Sequence, residues 1–132
     1  MELTNDVLYA VAPYAEMLGI DIEETTKSQV KVRLAHRTEL RTIGGSMHGG
    51  ALMSLCDVTA ALCAAMNVEP GETTTTAEST TYFLRPLFGE LAIAIGRPVK
   101  IGRTLICVEV DVEDASGQHC VRTTQMLAVK RS

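Results

Sequence analysis

The feature that most constrains the fold is one long apolar stretch, residues 51–66, near the middle of the chain. This stretch contains no Gly or Pro, few β-branched residues and little that is polar, and its only charged residue is Asp57. Such a composition predicts a helix that is buried on most of its sides. A helix of this kind needs a large apolar surface to pack against, and the rest of the chain must supply it.

Most of the remaining segments show the period-two alternation or the β-branched content of strands. Before them, apolar residues recur at helical intervals between residues 3 and 18, which predicts a short helix broken at Pro13. A hairpin of two strands is expected next, and an antiparallel meander of four strands is expected after the turn at residues 67–72. The six expected strands are residues 20–22, 30–34, 73–84, 91–101, 104–112 and 119–129.

One buried helix of about sixteen residues among about six strands defines an α+β fold, with the sheet curved around the helix. The length of 132 residues fits a single domain, residues 1–132. The net charge of −4 and the lack of a Lys/Arg run argue against a nucleic-acid or anionic-membrane partner. Because the chain starts with no basic segment followed by an apolar one, a soluble cytoplasmic protein is expected.

Asp57 is the first candidate for a functional residue, because an unpaired charge in the middle of an apolar helix is costly. Under the functional interpretation, Asp57 does chemistry beside a partner or a wet cleft. Under the structural one, it is a buried acid tied to Ser54 or to hydroxyls of another strand. The sequence before the helix favours the functional interpretation.

That sequence, residues 44–50, contains four glycines and His48. Free N–H groups at a helix start can stabilise negative charge on a carbonyl oxygen, as in an oxyanion hole, although a flexible loop is the structural alternative. The eight steps from Gly49 to Asp57 correspond to a rise of ~12 Å. This separation is too long for both to act on one carbonyl carbon, so a catalytic role implies that Asp57 meets Gly49 of another subunit.

Other chemistries have weaker support. His48 could orient the loop, bind a ligand or be structural, and no second His lies near it to form a general-base pair. No metal site is expected, because Cys56 and Cys63 lack ligand spacing to a His. The four cysteines have neither CxxC spacing nor the density of a secreted scaffold, so reduced, buried thiols are expected.

Residues 48–57, 82–86 and 102–105 together resemble the PaaI-type hotdog-fold acyl-CoA thioesterases, which include 4-hydroxybenzoyl-CoA and phenylacetyl-CoA types. The similarity covers roughly residues 15–130. It implies a hotdog fold, in which a sheet of five to six strands wraps one long central helix. It also implies dimers that join their sheets edge to edge, usually within a tetramer, with active sites at the dimer interface.

The same resemblance assigns roles to individual residues. It implies that the Gly49 N–H polarises the thioester carbonyl, within a motif that includes His48 and Gly50. Asp57 of the other subunit is expected to act as nucleophile or as general base toward water. Thr76 matches a position where relatives place a hydroxyl that orients the attacking water.

Further residues are expected to bind the substrate, and no cofactor is expected beyond the coenzyme A that the substrate carries. Thr42 lies six residues before His48, where relatives often have Asn or Gln. Arg85, Lys100 and Arg103 are candidates for coenzyme A phosphates, with surface charges or structural salt bridges as the alternative.

The expected function is therefore hydrolysis of an acyl-CoA, with phenylacetyl and hydroxybenzoyl esters as candidate substrates. One alternative is an acyl-thioester dehydratase, a chemistry that usually pairs an Asp with a His. The other alternative is a non-catalytic module that binds acyl-CoA, which the unusual Thr42 motivates.

Overall fold

The computed structural model describes residues 2–131, so Met1 and Ser132 of the expected domain lie outside the described residues. In it, an antiparallel sheet of six strands wraps one long helix, which confirms the predicted α+β class. The helices are α1 (Asn5–Val11), α2 (Pro13–Leu18) and α3 (Gly49–Ala65), with a 3-10 turn at Thr38–Leu40. The strands are β1 (Ile20–Thr25), β2 (Val30–Ala35), β3 (Glu72–Phe83), β4 (Leu91–Ile101), β5 (Leu105–Asp114) and β6 (His119–Arg131).

The strand order is β1-β2-β4-β5-β6-β3, and every neighbouring pair is antiparallel. The predicted hairpin of β1 and β2 is confirmed, but the predicted four-strand meander is wrong for β3, which pairs with β6 at the far edge. The reason lies in the connection after β3. There the chain runs back past the start of α3, where the Leu87 carbonyl accepts a hydrogen bond from the Met47 N–H (2.9 Å). It then reaches the end of β2, where the Glu90 carbonyl accepts one from the His36 N–H (2.8 Å). Strand β4 consequently begins beside β2.

The core lies between α3 and the concave face of the sheet, and it is almost entirely aliphatic. Each fully buried Val or Leu contributes roughly 1.5–3 kcal/mol relative to an exposed one. Gly96 of β4 lets the helix approach closely, because a Cβ there would lie 3.0 Å from Thr59 Cγ2. The fully buried residues of α3 include Leu55, Cys56, Ala60, Cys63 and Ala64, and those of β5 include Val108, Val110 and Val112.

One face of α3 is left uncovered within the chain. Met53, Asp57 and Ala65 are exposed there, at helical spacing. The structural interpretation of Asp57 as a buried acid is therefore wrong for the single chain. The apolar side of the helix packs against the sheet, and Asp57 lies at the border of this contact, where it is exposed. None of the helices within residues 2–131 combines the length and apolar content needed to cross a bilayer.

Candidate functional site

Asp57 lies at the centre of a small polar cluster formed by α3, β3 and β6. Thr76 Oγ1 donates a hydrogen bond to Asp57 Oδ1 over 2.8 Å, and Gln125 Nε2 donates one to the same oxygen over 2.7 Å. Gln125 Nε2 also donates to Thr76 Oγ1 over 3.0 Å. The three side chains thus form a closed triangle of hydrogen bonds. Of the two alternative partners expected for Asp57, a hydroxyl of another strand is confirmed in Thr76, whereas Ser54 donates to the Gly50 carbonyl over 2.9 Å.

A β-bulge in β3 points Thr76 toward the helix. The pairing register with β6 shifts between Thr76 and Glu78, so that Ala77 is the extra residue. Thr76 pairs with Leu127 and Ser79 with Gln125, and both of these β6 residues are buried on the helix side. In a regular strand, two residues three positions apart face opposite sides of the sheet. The bulge removes this constraint and allows Thr76 to reach Asp57.

The two oxygens of the Asp57 carboxylate differ in their surroundings. Oδ1 accepts both hydrogen bonds, and no donor within residues 2–131 reaches Oδ2. The side chain is also exposed in the single chain. Oδ2 is therefore the oxygen available to attack a carbonyl carbon or to take a proton from water.

The start of α3 is organised by His48, which is its N-cap residue. His48 Nδ1 accepts a hydrogen bond from the Gly50 N–H over 2.8 Å, and this satisfies one of the free donors of the first turn. The Gly49 N–H does not use this cap. In this arrangement, His48 fixes the helix start and leaves a backbone donor for another acceptor.

The loop before His48 folds back on itself through two glycines with left-handed backbone. Gly44 and Gly45 have φ values of 90° and 92°, a backbone conformation that residues other than glycine rarely adopt. The Thr42 N–H donates to the Ser46 carbonyl over 2.9 Å, and Gly45 N–H donates to the Thr42 carbonyl over 3.1 Å. The Thr42 backbone thus closes the loop, while its side chain lies beside the helix start.

Two cavities flank that helix start. The first, of about 350 Å³, is lined by residues that include Thr42, Gly49, Phe83 and Arg85. The second, of about 470 Å³, lies on the other side and is lined by residues that include Tyr14, Met17, Arg37, Arg41, His48 and Gly50. The structure therefore brings Thr42, Gly49 and Arg85 together, with His48 and Gly50 next to them. Asp57 and Thr76 line neither cavity.

The Phe83 ring closes one side of the first cavity. A Cβ on Gly49 would lie 3.3 Å from two carbon atoms of this ring, so the close approach requires glycine or a displaced ring. Sequence reasoning noted Phe83 only as part of a motif. The structure adds that it packs directly over the first residue of α3.

Lys100 and Arg103 lie at the opposite end of the molecule from Arg85. Arg103 lines a cavity with Glu69 and Arg131, near the end of α3. Lys100 follows a β-bulge in β4, after which the pairing with β5 continues to Ile101. Within one chain, neither side chain is near Gly49, and their contact with coenzyme A stays a prediction.

Three of the four cysteines are buried, as expected, and Cys107 is half-buried. Burial raises the pKa of the Cys56 thiol and of the Cys63 thiol to about 11, which keeps both protonated at neutral pH. All four cysteines are free thiols. No group of three or more His, Cys, Asp or Glu side chains between residues 2 and 131 is arranged to hold a metal ion.

Gln125 is the one member of the polar cluster that sequence reasoning missed. A signal was present, because Thr123, Gln125 and Leu127 occupy alternate positions of a strand whose other inward residues are apolar. An amide at such a position is fully buried and must find hydrogen-bond partners. Because Gln125 and Asp57 are 68 residues apart in sequence, no local pattern indicated that they are hydrogen-bonded.

A family model and sequences of known proteins match this chain. The family model described as the thioesterase superfamily matches residues 44–121. A protein of Saccharolobus solfataricus, named as a candidate esterase, is 30% identical over 103 residues, which cover 78% of this chain and 73% of the relative.

Solved structures show the same fold. A thioesterase from Haemophilus influenzae has a TM-score of 0.91 and 20% identity, with 99% of this chain and 93% of the other covered. A conserved protein from Pseudomonas aeruginosa has a TM-score of 0.85 and 28% identity, with 90% of this chain and 94% of the other covered. These matches confirm the predicted hotdog arrangement of sheet and helix.

Proposed function

Because this chain belongs to the thioesterase superfamily and is a thioester hydrolase, we propose that its substrate is an acyl-CoA and that Asp57 is its catalytic carboxylate. The products are then a free acid and coenzyme A. Aryl-CoA esters such as phenylacetyl-CoA and hydroxybenzoyl-CoA are the first substrates to test. The resemblance to the PaaI type motivates this choice.

The observation that carries the proposal is the arrangement around Asp57. Two donors hold Oδ1, while no donor among residues 2–131 contacts Oδ2, and the Asp57 side chain is exposed in the single chain. A carboxylate held in this way can attack the thioester carbon or remove a proton from the attacking water. Because the partners are a hydroxyl and an amide, the histidine expected of a dehydratase does not contact Asp57 within the described residues.

Gly49 supplies the second part of the site. We assign its N–H to the thioester oxygen, because the helix start presents positive partial charge where negative charge develops during the reaction. His48 supports this role indirectly by capping the turn through Gly50. Thr42 and Arg85 line the same cavity and are proposed to contact the pantetheine or phosphate part of the substrate.

The two parts meet only if two chains associate. Gly49 and Asp57 are eight residues apart on one helix, a rise of ~12 Å. Within residues 2–131, β3 is paired on one side only, and its other edge offers free N–H and C=O groups along a strand of 12 residues.

We propose that two copies join at this edge. A two-fold axis makes the two β3 strands antiparallel, so the Thr76 end of one strand lies beside the Phe83 end of the other. Asp57 of one copy then approaches Gly49 of the second, which packs under its Phe83. A tetramer built from two such dimers is the assembly that the family resemblance implies.

The test is release of free coenzyme A thiol from a panel of aryl, short-chain and long-chain acyl-CoA esters. Asp57→Asn removes the reactive oxygen and is expected to lower kcat by at least about 100-fold, the scale of a positioned base. Asp6→Asn, an exposed acid on α1, serves as the matched control and is expected to leave kcat unchanged. Full turnover by the Asp57→Asn enzyme would remove Asp57 from the mechanism.

A further inference from the structure

Gln125 is unusual among the buried side chains of the described residues. Among residues 2–131, only Thr59, Thr123 and Gln125 are buried and polar, and all three are fully inaccessible. The hydroxyl of Thr59 donates to a carbonyl of its own helix, and that of Thr123 pairs with Thr81. Gln125 directs its amide nitrogen toward Asp57, while its Oε1 is buried without a hydrogen-bond partner.

The chemistry of the partners fixes the orientation of this amide. A carboxylate oxygen only accepts hydrogen bonds, so the group that faces Asp57 at 2.7 Å must be the NH2 group. One of its protons goes to Asp57, and the other goes to Thr76 Oγ1 at 3.0 Å. The short distance is typical of a hydrogen bond to a charged acceptor.

We propose that Gln125 is a positioning residue that holds the Asp57 carboxylate in its reactive orientation. With two donors on Oδ1, rotation of the carboxylate would break two hydrogen bonds. Oδ2 is therefore kept pointing away from β6 and toward the substrate side. The inference rests on the proposed role of Asp57, and Gln125 itself touches no reacting atom.

The effect of Gln125 on the stability of the fold separates a positioning role from a merely structural one. A buried acceptor without a partner is destabilising, and an apolar side chain of similar size avoids that cost. The neighbouring inward positions, Val121 and Leu127, show that this face of β6 accepts apolar residues. A glutamine kept at such a position lowers stability in exchange for function. A structural role predicts instead that its removal weakens the fold.

The experiment replaces Gln125 with Met, which has a similar length and no hydrogen-bond donor. The Gln125→Met enzyme is expected to melt at the same or a higher temperature, with KM within about twofold and kcat about 10- to 100-fold lower, the effect of losing a hydrogen bond to a charged group. Gln125→Glu places an acceptor opposite the carboxylate and is expected to lower kcat at least as much.

Thr123→Val is the matched control, because it removes a buried hydroxyl from the same face of β6 without touching Asp57. Its kcat is expected to stay within about twofold of the wild type, because non-contacting substitutions leave transition-state binding unchanged. A Gln125→Met enzyme with wild-type kcat, or one that fails to fold, would overturn the proposal. So would an equal loss of kcat in Thr123→Val.

Asp57→Asn separates a failure of the proposed function of Asp57 from a failure of the positioning role of Gln125. If Asp57→Asn keeps its activity, the proposed function of Asp57 fails and the role of Gln125 falls with it. If Asp57→Asn is inactive while Gln125→Met is fully active, only the positioning role fails. In the Asp57→Asn background, Gln125→Met is expected to cause no further loss, and an additional loss of kcat would contradict a role exerted through Asp57.

Discussion

Replacing Thr76 with Val tests whether the hydroxyl on β3 matters to the carboxylate. Val has nearly the shape of Thr and suits a strand. The substitution removes the 2.8 Å hydrogen bond to Asp57 together with the 3.0 Å hydrogen bond that Thr76 Oγ1 accepts from Gln125 Nε2. The bulge should persist, because neither β6 nor the turn before β3 is altered. Any change in rate then reports on the hydroxyl.

The size of the effect follows from the partner and its exposure. A hydrogen bond to a charged group is worth about 1.5–3 kcal/mol, and we take roughly 1–2 kcal/mol here because water can replace the donor at an exposed carboxylate. Since each 1.36 kcal/mol is a factor of ten, kcat/KM is expected to fall by roughly 5- to 30-fold. Thr76→Ser keeps the hydroxyl and should recover most of the rate.

The assay is steady-state thiol release with the best ester from the substrate panel. Thr75→Val is the matched control, because Thr75 is the adjacent exposed residue and has no hydrogen bond to Asp57. We expect this control to keep the wild-type kcat/KM. Wild-type kcat/KM in Thr76→Val, or an equal loss in Thr75→Val, would show that the Thr76 hydroxyl does not act on Asp57.

Two further predictions concern stability. His48→Ala removes the side-chain acceptor of the Gly50 N–H and should lower the free energy of unfolding by about 1 kcal/mol, or shift the urea midpoint by about 0.5 M; an unchanged midpoint would contradict the cap. The pKa of Cys56 is raised by burial from 9.0 to about 11, so the folded state holds this proton more tightly. The contribution of this thiol to the free energy of unfolding is fully present below pH 9 and is lost as the pH rises through about 11. The loss amounts to roughly 2–3 kcal/mol. Cys56→Ala should show a smaller loss in urea titrations over that range, and an equal loss would refute the assignment.

Local patterns predicted most of the elements because each one carries its own signal. The apolar stretch at residues 51–66 became α3, and the break at Pro13 separates α1 from α2. Strand β4 has the predicted bounds. The position of β3 was not predictable in this way, since a period-two pattern reports which face is buried and not which strand lies beside it.

The candidate site was predictable only in part, for a related reason. Asp57 and Gly49 were apparent from local sequence, and the separation between them followed from helix geometry. The contact of Gln125 with Asp57 depends on pairing between distant strands and on the bulge at Ala77, which no local pattern indicates. The exposure of Asp57 depends on which way the helix is rotated against the sheet.

In the proposed dimer, each active site combines Asp57 of one chain with Gly49 of another. Subunit complementation tests it with two inactive variants. Asp57→Asn removes the carboxylate. Gly49→Pro removes the N–H, and its ring also displaces Phe83, whose ring carbons would lie 3.3 Å from a Cβ at this position. Proline is tolerated at the first position of a helix, and the extended backbone of His48 (φ −60°, ψ 137°) suits a residue before proline.

The deciding measurement is the thiol-release activity of the two variants after they are mixed, dissociated and reassembled. In a shared site, each mixed dimer contains one intact combination of Asp57 and Gly49. Random reassembly should therefore restore about a quarter of the wild-type activity, since half of the two-fold dimers are mixed and each has one working site. If the mixture stays as inactive as its components, while wild-type chains treated in the same way recover full activity, the shared site is contradicted.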